Sequence, residues 1–481
     1  MKRFCAASFS CCGVSFSWRG ALAPLCLLMA GCAVGPNYHR PDVPTPPQYR
    51  GATTPAAPES LADTKWFDLF QDDSLKQLVS TALQQNLDLG IATERIEQAR
   101  ARYGITRADQ FPFVNAQASV TTQQQSTQGA FRFLTPSSAP ATTVTQAGIG
   151  LSWEIDLWGR LRRLTEAARA EYLASEEGRR AVVVSLVGDV MTNYFTLRER
   201  DLELQIANQT RDAAENSLKL VQLRHDRGAA TGLDVHQAEQ LLYTATAQIA
   251  ATRRDIEQTE NALSLLLGAP PQDIARGKAL DQFAPPADPP AGLPASLLER
   301  RPDIRAAEQN LVAANAQIGA ARALYFPQIS LTGLFGGQSR ALGGLLSGPA
   351  QLWTIAPGAV LPIFNAGQIR SGVRLSEAQQ RELVITYRRS IYTALREVSD
   401  SLAGYSRTRE QLAQQLSLVN ALSETSRLSR LRYQGGLDSY LQVLDAERNL
   451  FQGQLALAKL KLQVLDSYVQ LYRALGGGWQ S

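Results

Sequence analysis

One pattern is written twice in this chain, 208 residues apart. Leu223-Arg224, Gly228, Thr231, Leu233, Val235 and Ala238-Glu239 return as Leu431-Arg432, Gly436, Ser439, Leu441, Val443 and Ala446-Glu447. The same offset carries the apolar stripe Val183, Val187, Val190, Tyr194, Leu197, Leu204 onto Ile391, Leu395, Val398, Leu402, Tyr405, Leu412. It also carries Gly159 onto Gly367 and Gly268 onto Gly476. A unit duplicated within one polypeptide predicts internal pseudo-symmetry, and therefore a tube, ring or bundle rather than a pocketed globule.

Each copy reads helix, two strands, very long helix, turn, helix. The stripe steps by four, three, four and three residues, the spacing of coiled-coil packing. It predicts long helices over about 159–227 and 367–434, each roughly 100 Å at 1.5 Å per residue. Sharp turns are expected at Arg227-Gly228 and Gln434-Gly435-Gly436. Capping signatures follow, Thr231 with Asp234 and Ser439 with Gln442. Residues 73–109 read as one helix stopped at Phe111-Pro112, and Phe326-Pro327 ends its counterpart. Residues 146–157 alternate strictly, with Ala147, Ile149, Leu151, Trp153, Ile155 and Leu157 on one face, which is a strand signal. Weaker strand signals occupy 113–123, 328–338 and 352–364, the last with Pro357 inside it. The expected organisation is 1–31 signal peptide, 32–60 tether, 61–268 first repeat (strands within about 113–157), 269–302 Pro-rich connector, and 303–481 second repeat (strands within about 328–364).

All five cysteines (Cys5, Cys11, Cys12, Cys26, Cys32) fall within the first 32 residues. The body therefore has no disulfide and no thiolate chemistry. Residues 21–31, ALAPLCLLMAG, form a short apolar run behind basic residues, the build of a signal peptide. Cys32 follows Met29-Ala30-Gly31 and resembles the acylated cysteine of a bacterial lipobox, with Ala33 compatible with sorting to an outer membrane. The formal net charge is +4, and Lys2, Arg3 and Arg19 belong to the leader. Without them about +1 remains, which gives no electrostatic reason to seek nucleic acid.

No stretch of 18 or more apolar residues lies outside the leader, so a membrane crossing must be made by strands. Four strands of about 10–12 residues fit a tilted crossing. Four cannot close around a water-filled pore, and an open edge in lipid leaves backbone groups unpaired at several kcal/mol each. Closure needs several copies of the chain; three give twelve strands.

The chain resembles the outer-membrane efflux channels of the TolC superfamily, in their OprM- and NodT-like lipoprotein branch. The likeness is carried by Val34-Gly35-Pro36-Asn37-Tyr38, by Trp66-Phe67 with Phe70 and the Asp73 to Leu78 stretch, and by Trp153 through Gly159. It continues in Leu297 through Ile304, Tyr325-Phe326-Pro327, and Tyr433 through Asp445-Ala446-Glu447-Arg448. The resemblance implies a homotrimer with a twelve-stranded β-barrel and an α-helical tunnel reaching into the periplasm. It also implies a periplasmic adaptor and an inner-membrane pump of the RND class as partners. In the related channels the helix after the second turn constricts the pore. Carried over by position, Leu441, Asp445 and Arg448 are the gate candidates, with Gln442 where some relatives hold a second acid. A threefold axis makes three mutually repelling carboxylates of one Asp445, and Arg448 lies one turn away. Tyr433 and Tyr440, near the turn, are candidates either for adaptor contact or for packing.

No cofactor is expected beyond lipid on Cys32. A metal site is disfavoured, because His39, His225 and His236 lack a ligating pattern. No phosphate-binding loop or nucleophile-and-base pattern suggests an enzyme. The expected function is a passive exit duct for drugs or other small toxic compounds. The alternatives are the outer-membrane component of a type I secretion or metal-efflux system, or a pore-less coiled-coil envelope lipoprotein.

Overall fold

The structure, a computed structural model, describes residues 33–52, 59–124, 141–285 and 288–479. The expected signal peptide and Cys32 lie outside the described residues. The chain divides into two compact units. The first comprises residues up to His39, Ala101–Arg169 and Val312–Arg381; the second comprises Arg40–Arg100, Ala170–Leu311 and Glu382–Ser481.

The first unit holds one antiparallel sheet of β1 (Phe113–Gln123), β2 (Thr142–Ile155), β3 (Gln328–Ser339) and β4 (Gln351–Val360), in that order. The period-two pattern of β2 sets the register. Ile149 lies between Ala116 and Phe335, and Phe335 opposes Trp353. Successive apolar rows stack, so one face carries Val114, Ile149, Leu151, Trp153, Leu331, Phe335 and Ile355. The other carries Asn115, Gln117, Ser119, Gln146, Ser152, Ser330, Thr332 and Thr354, together with Phe113, Leu334, Leu352 and Val360. Three expected boundaries, on two strands, need correction. β2 begins at Thr142 and ends at Ile155, and β4 stops at Val360, not at residue 364. Val360 is paired with Gln328, the first residue of β3, and the next position in that register sets Leu361 against Pro327, which has no N–H. Pro362, which has no N–H, also cannot extend the ladder.

Val34 and Gly35 pack closely in this unit. Val34 N–H donates to Trp158 O at 3.0 Å. Gly35 (φ 104°) crosses Gly319 so closely that a Cβ on Gly35 would lie 2.4 Å from the Gly319 Cα. The described part of the tether is thus docked on the body rather than free. In the second unit Val43 and Tyr49 are buried, and Arg40 makes a two-pronged ion pair with Glu308, with both bonds at 2.7 Å.

The helices are α1 (Asp73–Gln85), α2 (Leu87–Ala108), α3 (Arg160–Asp226), α4 (Gly232–Leu266), α5 (Pro302–Ala323), α6 (Gln368–Gln434) and α7 (Tyr440–Ala474), besides shorter turns. α3 and α6 have 67 residues each, α4 and α7 have 35 each, and every boundary recurs at the 208-residue offset. The reason lies in the helix stops. Gly228 and Gly436 have φ 69° and 73°, and Gly268 and Gly476 have φ 69° and 83°. Each takes the left-handed conformation that ends a helix, and the next N–H reaches back five residues: Ala229 to Arg224, Leu437 to Arg432, Ala269 to Ser264, Gly477 to Tyr472.

The helix expected over 73–109 is interrupted. Asn86 leaves helical geometry at ψ 131°. Its Oδ1 accepts from Leu89 N at 2.9 Å, and its Nδ2 donates to Leu266 O at 2.8 Å, at the end of α4. One side chain thus starts α2 and satisfies an end carbonyl of another helix.

The duplicated stripe is the core of the second unit: Val187, Val190, Tyr194, Leu197, Ile391, Val398, Leu402 and Tyr405 are buried. Phe70 packs edge-on against Phe195, Phe283 and Tyr468. The connector is pinned by polar ties. Buried Asp72 accepts from Leu75 N (3.0 Å), Tyr194 Oη (3.0 Å) and Lys278 N (2.7 Å), and so caps α1 while holding the connector.

Candidate functional site: a pore wall and two gating turns

The sheet and the paired turns each carry a functional geometry. The sheet gathers its large apolar side chains mainly on one face and most of its amides and hydroxyls on the other, with Phe113, Leu334, Leu352 and Val360 as exceptions on the polar face, a bias that suits a wall between lipid and water. Ile149, Phe335, Trp353 and Ile355 are all more than half exposed, with nothing from the described residues packed over them. β1 and β4 stand at the two ends of the strand order, each paired on one side only. Glu154 is the charged residue of the polar rows, and its carboxylate is held by Arg160 at 2.9 and 2.6 Å.

In the second unit, α3–α4 and α6–α7 meet at their turns around one apolar cluster. Ala214, Val221, Ala238 and Leu241 come from the first copy; Tyr433, Tyr440, Val443 and Leu444 come from the second. Tyr433 and Tyr440 stack edge-to-face at 5.3 Å, and the Tyr440 hydroxyl lies 3.2 Å from Ser217 Oγ. Both tyrosines are packing residues, since their rings are buried in that cluster. The first turn is capped as expected. Thr231 Oγ1 accepts from Asp234 N, and Asp234 Oδ2 accepts from Thr231 N. The second is not: the Ser439 side chain makes no cap, and Gln442 N donates to the Ser439 carbonyl instead.

Of the gate candidates, Asp445 and Arg448 come together. Arg448 Nη2 lies 3.4 Å from Asp445 Oδ1, and Asn449 Nδ2 donates to Asp445 Oδ2 at 3.1 Å. Both charged side chains are about half exposed (56% and 55%), so the pair contributes below about 1 kcal/mol to the fold. Leu441, one turn earlier, is also half exposed. Val443, Leu444, Glu447 and Phe451 on the same helix point inward. The three candidates thus occupy the helix face turned away from the chain's own core. Buried Glu447 pairs with Arg430 at 2.5 Å, and burial raises its pKa.

Sequence reasoning passed over Arg224. Its guanidinium donates to the Tyr433 and Gln434 carbonyls at 3.1 and 2.9 Å and lies 4.6 Å from the Tyr433 ring centroid. It ties the end of α3 to the end of α6. The duplicated Arg432 turns back on its own loop instead, pairing with Asp438 at 2.5 Å. The signal was present, since Leu-Arg precedes both turns, but the repeat does not say which carbonyls each arginine meets. The histidines make separate local contacts, His236 with Glu239 at 2.9 Å and His225 with Asp226 at 3.9 Å.

A second missed feature lies on α3. Glu199 and Glu203, one turn apart, are both fully buried. Arg200 bonds Glu203 at 2.6 Å and its Nε lies 3.5 Å from Glu199 Oε2, while neither Glu199 oxygen makes a hydrogen bond. Burial, then the charge on Glu203, pushes the Glu199 carboxyl up to about 8.

The family description "outer membrane efflux protein" matches residues 78–269 and 293–477. The chain is 40% identical over 460 residues to the solvent efflux pump outer membrane protein SrpC of Pseudomonas putida, covering 94% of this chain and 97% of that one. It is 37% identical over 463 residues to the outer membrane protein OprJ of Pseudomonas aeruginosa, covering 95% of each. Its fold superposes on the open-state outer membrane channel MtrE of Neisseria gonorrhoeae with a TM-score of 0.83 and 32% identity, over 93% of this chain and 99% of that one.

Proposed function

The chain belongs to the outer membrane efflux protein family, and from that premise we propose that it is the exit duct of a tripartite efflux pump. Three copies close a twelve-stranded barrel, with β4 of one chain pairing to β1 of the next, and their helices continue the lumen into the periplasm. The observation that carries this reading is the two-faced sheet with a free edge at each end. In hydrocarbon each unpaired N–H or C=O is worth several kcal/mol, and closure removes all of them at once.

The duct does no chemistry of its own. A periplasmic adaptor docks it to an inner-membrane pump of the RND class, which supplies the energy and selects the cargo. Relatives named for solvent and toluene efflux support small apolar toxic compounds as that cargo. Leu441, Asp445 and Arg448 narrow the periplasmic end as an apolar ring beside rings of opposite charge. Lipid on Cys32 anchors the N-terminus to the outer membrane, and the docked Val34–Asn37 segment holds that anchor against the barrel unit. The test is efflux itself. A strain lacking the chain should become sensitive to solvents and antibiotics and recover with the intact gene. Recovery from a truncation lacking β1 to β4 would refute the duct.

A further inference from the structure

The link between β3 and β4 shows which way the outer end of the barrel wall turns. Gly337 sits on the apolar face of the sheet, opposite Ala147. A Cβ on Gly337 would lie 2.4 Å from the Leu345 carbonyl oxygen and 3.5 Å from Leu345 Cδ2. The link therefore folds back over the apolar face of β3, where Leu345 half-buries itself, instead of arching over the polar face that lines the lumen. Leu342 and Leu346 project outward, 74% and 101% exposed.

The chemistry of the segment matches hydrocarbon. No charged residue occurs from Ala341 through Ile369. The backbone makes two tight turns, Leu342–Gly344 and Gly348–Ala350, which pair part of its N–H and C=O groups. Gly344 N donates to Ala341 O (3.1 Å), Leu345 N to Leu342 O (3.3 Å), Ser347 N to Gly344 O (3.2 Å) and Ala350 N to Ser347 O (3.0 Å). The two serine hydroxyls are also turned inward, Ser347 to Gly344 O and Ser339 to Ala341 O. A loop that carries no charge, turns its hydroxyls inward and leaves its leucines bare presents an apolar outer side. It also folds back alongside Gly337, two residues past the Phe335–Trp353 pair on the apolar face.

We propose that residues 341–350 form a shelf inserted into the outer leaflet, with Leu342 and Leu346 among the lipid acyl chains, and that they do not cover the pore mouth. The inference rests on the barrel reading, in which the apolar face of the sheet meets lipid. It makes the link a fixed collar that holds the barrel at its depth and leaves the lumen unobstructed on this side.

The native cysteines all lie at or before position 32, so an introduced cysteine is the sole thiol of the body. Spin labels at Leu346→Cys and Leu342→Cys, in full-length protein reconstituted into phospholipid vesicles, report collision with oxygen and with a water-soluble nickel chelate. Ile355→Cys serves as the lipid-face reference and Asp226→Cys as the aqueous one. The expected result is strong oxygen and weak nickel collision at 342 and 346, within about twofold of the 355 label and well separated from 226. Nickel access at 346 equal to that at 226, with 355 still in lipid, overturns the shelf alone. Exclusion of both reagents at 342 and 346 overturns it too, since it places the leucines against a neighbouring protomer. Nickel access at 355 overturns the barrel orientation and the shelf together.

Discussion

Arg224 and Arg432 occupy the same repeat position but make different contacts, so one substitution is the control for the other. Arg224 gives two charge-assisted hydrogen bonds to the last carbonyls of α6 and lies over the Tyr433 ring. The Tyr433 carbonyl also accepts from Gly436 N at 3.0 Å, whereas the Gln434 carbonyl is one of the helix-end groups left without an intrahelical donor. The part-buried bond to Tyr433 O contributes about 1 kcal/mol net, the exposed bond to Gln434 O about half that, and the ring contact about another 0.5–1 kcal/mol. Arg224→Ala should therefore weaken the tie between the turns by about 2 kcal/mol. At 1.4 kcal/mol per decade, local opening then rises roughly 30-fold. Arg432→Ala removes only a solvent-exposed pair with Asp438, which water and salt screen. The assay is hydrogen–deuterium exchange of the peptide spanning residues 428–445 in detergent-solubilised protein. Fast exchange in Arg224→Ala and near-native exchange in Arg432→Ala are expected. Equal exchange in the two variants would refute the idea that the tie between the copies runs through Arg224.

The remaining predictions concern charge, backbone and gate. Glu199 has a folded pKa raised above its unfolded value, so native protein holds the extra proton and stability falls as pH rises from about 4.5 to about 8. Glu199→Gln should flatten that fall and, by taking away a buried charge that burial and Glu203 disfavour, stabilise the protein at pH 8 by about 1–3 kcal/mol; thermal melts across pH decide it, and a lower Tm for the variant at pH 8 would contradict the reasoning. Gly268→Ala would set a Cβ 2.2 Å from Gln85 O, whereas Gly228 has open space around it, both at φ 69°. The first should lose about 3 kcal/mol or more and the second about 1 kcal/mol, read by denaturant or thermal unfolding. Asp445→Ala with Arg448→Ala should raise single-channel conductance severalfold in planar bilayers while leaving thermal stability within about 1 kcal/mol. The similarly exposed pair Arg407 and Glu410, replaced the same way, should leave conductance unchanged.

Much of the fold was legible because its strongest signals are local. A glycine that must sit at positive φ marks a helix end wherever it falls, so duplicated glycines mark duplicated ends. Strict alternation in β2 likewise revealed the sheet and its two faces. The missed features depend on partners distant in sequence. Asn86 breaks a helical pattern because Leu266 offers a carbonyl to its amide. Ser439 looks like a cap, yet only its backbone carbonyl is used. Tyr433 and Tyr440 are buried because the other copy supplies Val221 and Leu241 over them. The face occupied by Leu441, Asp445 and Arg448 came from likeness and position; the chain itself adds that this face is unneeded for its own core.

The central claim is that the sheet's two free edges are closed by identical neighbours. Native mass spectrometry of the detergent-extracted, membrane-purified protein reads this directly. A single species of three chains, persisting as detergent is reduced to a minimal shell, is the expected result. A species of one chain that stays folded and soluble under those conditions would contradict it, because its edge strands would then stand in apolar solvent unpaired.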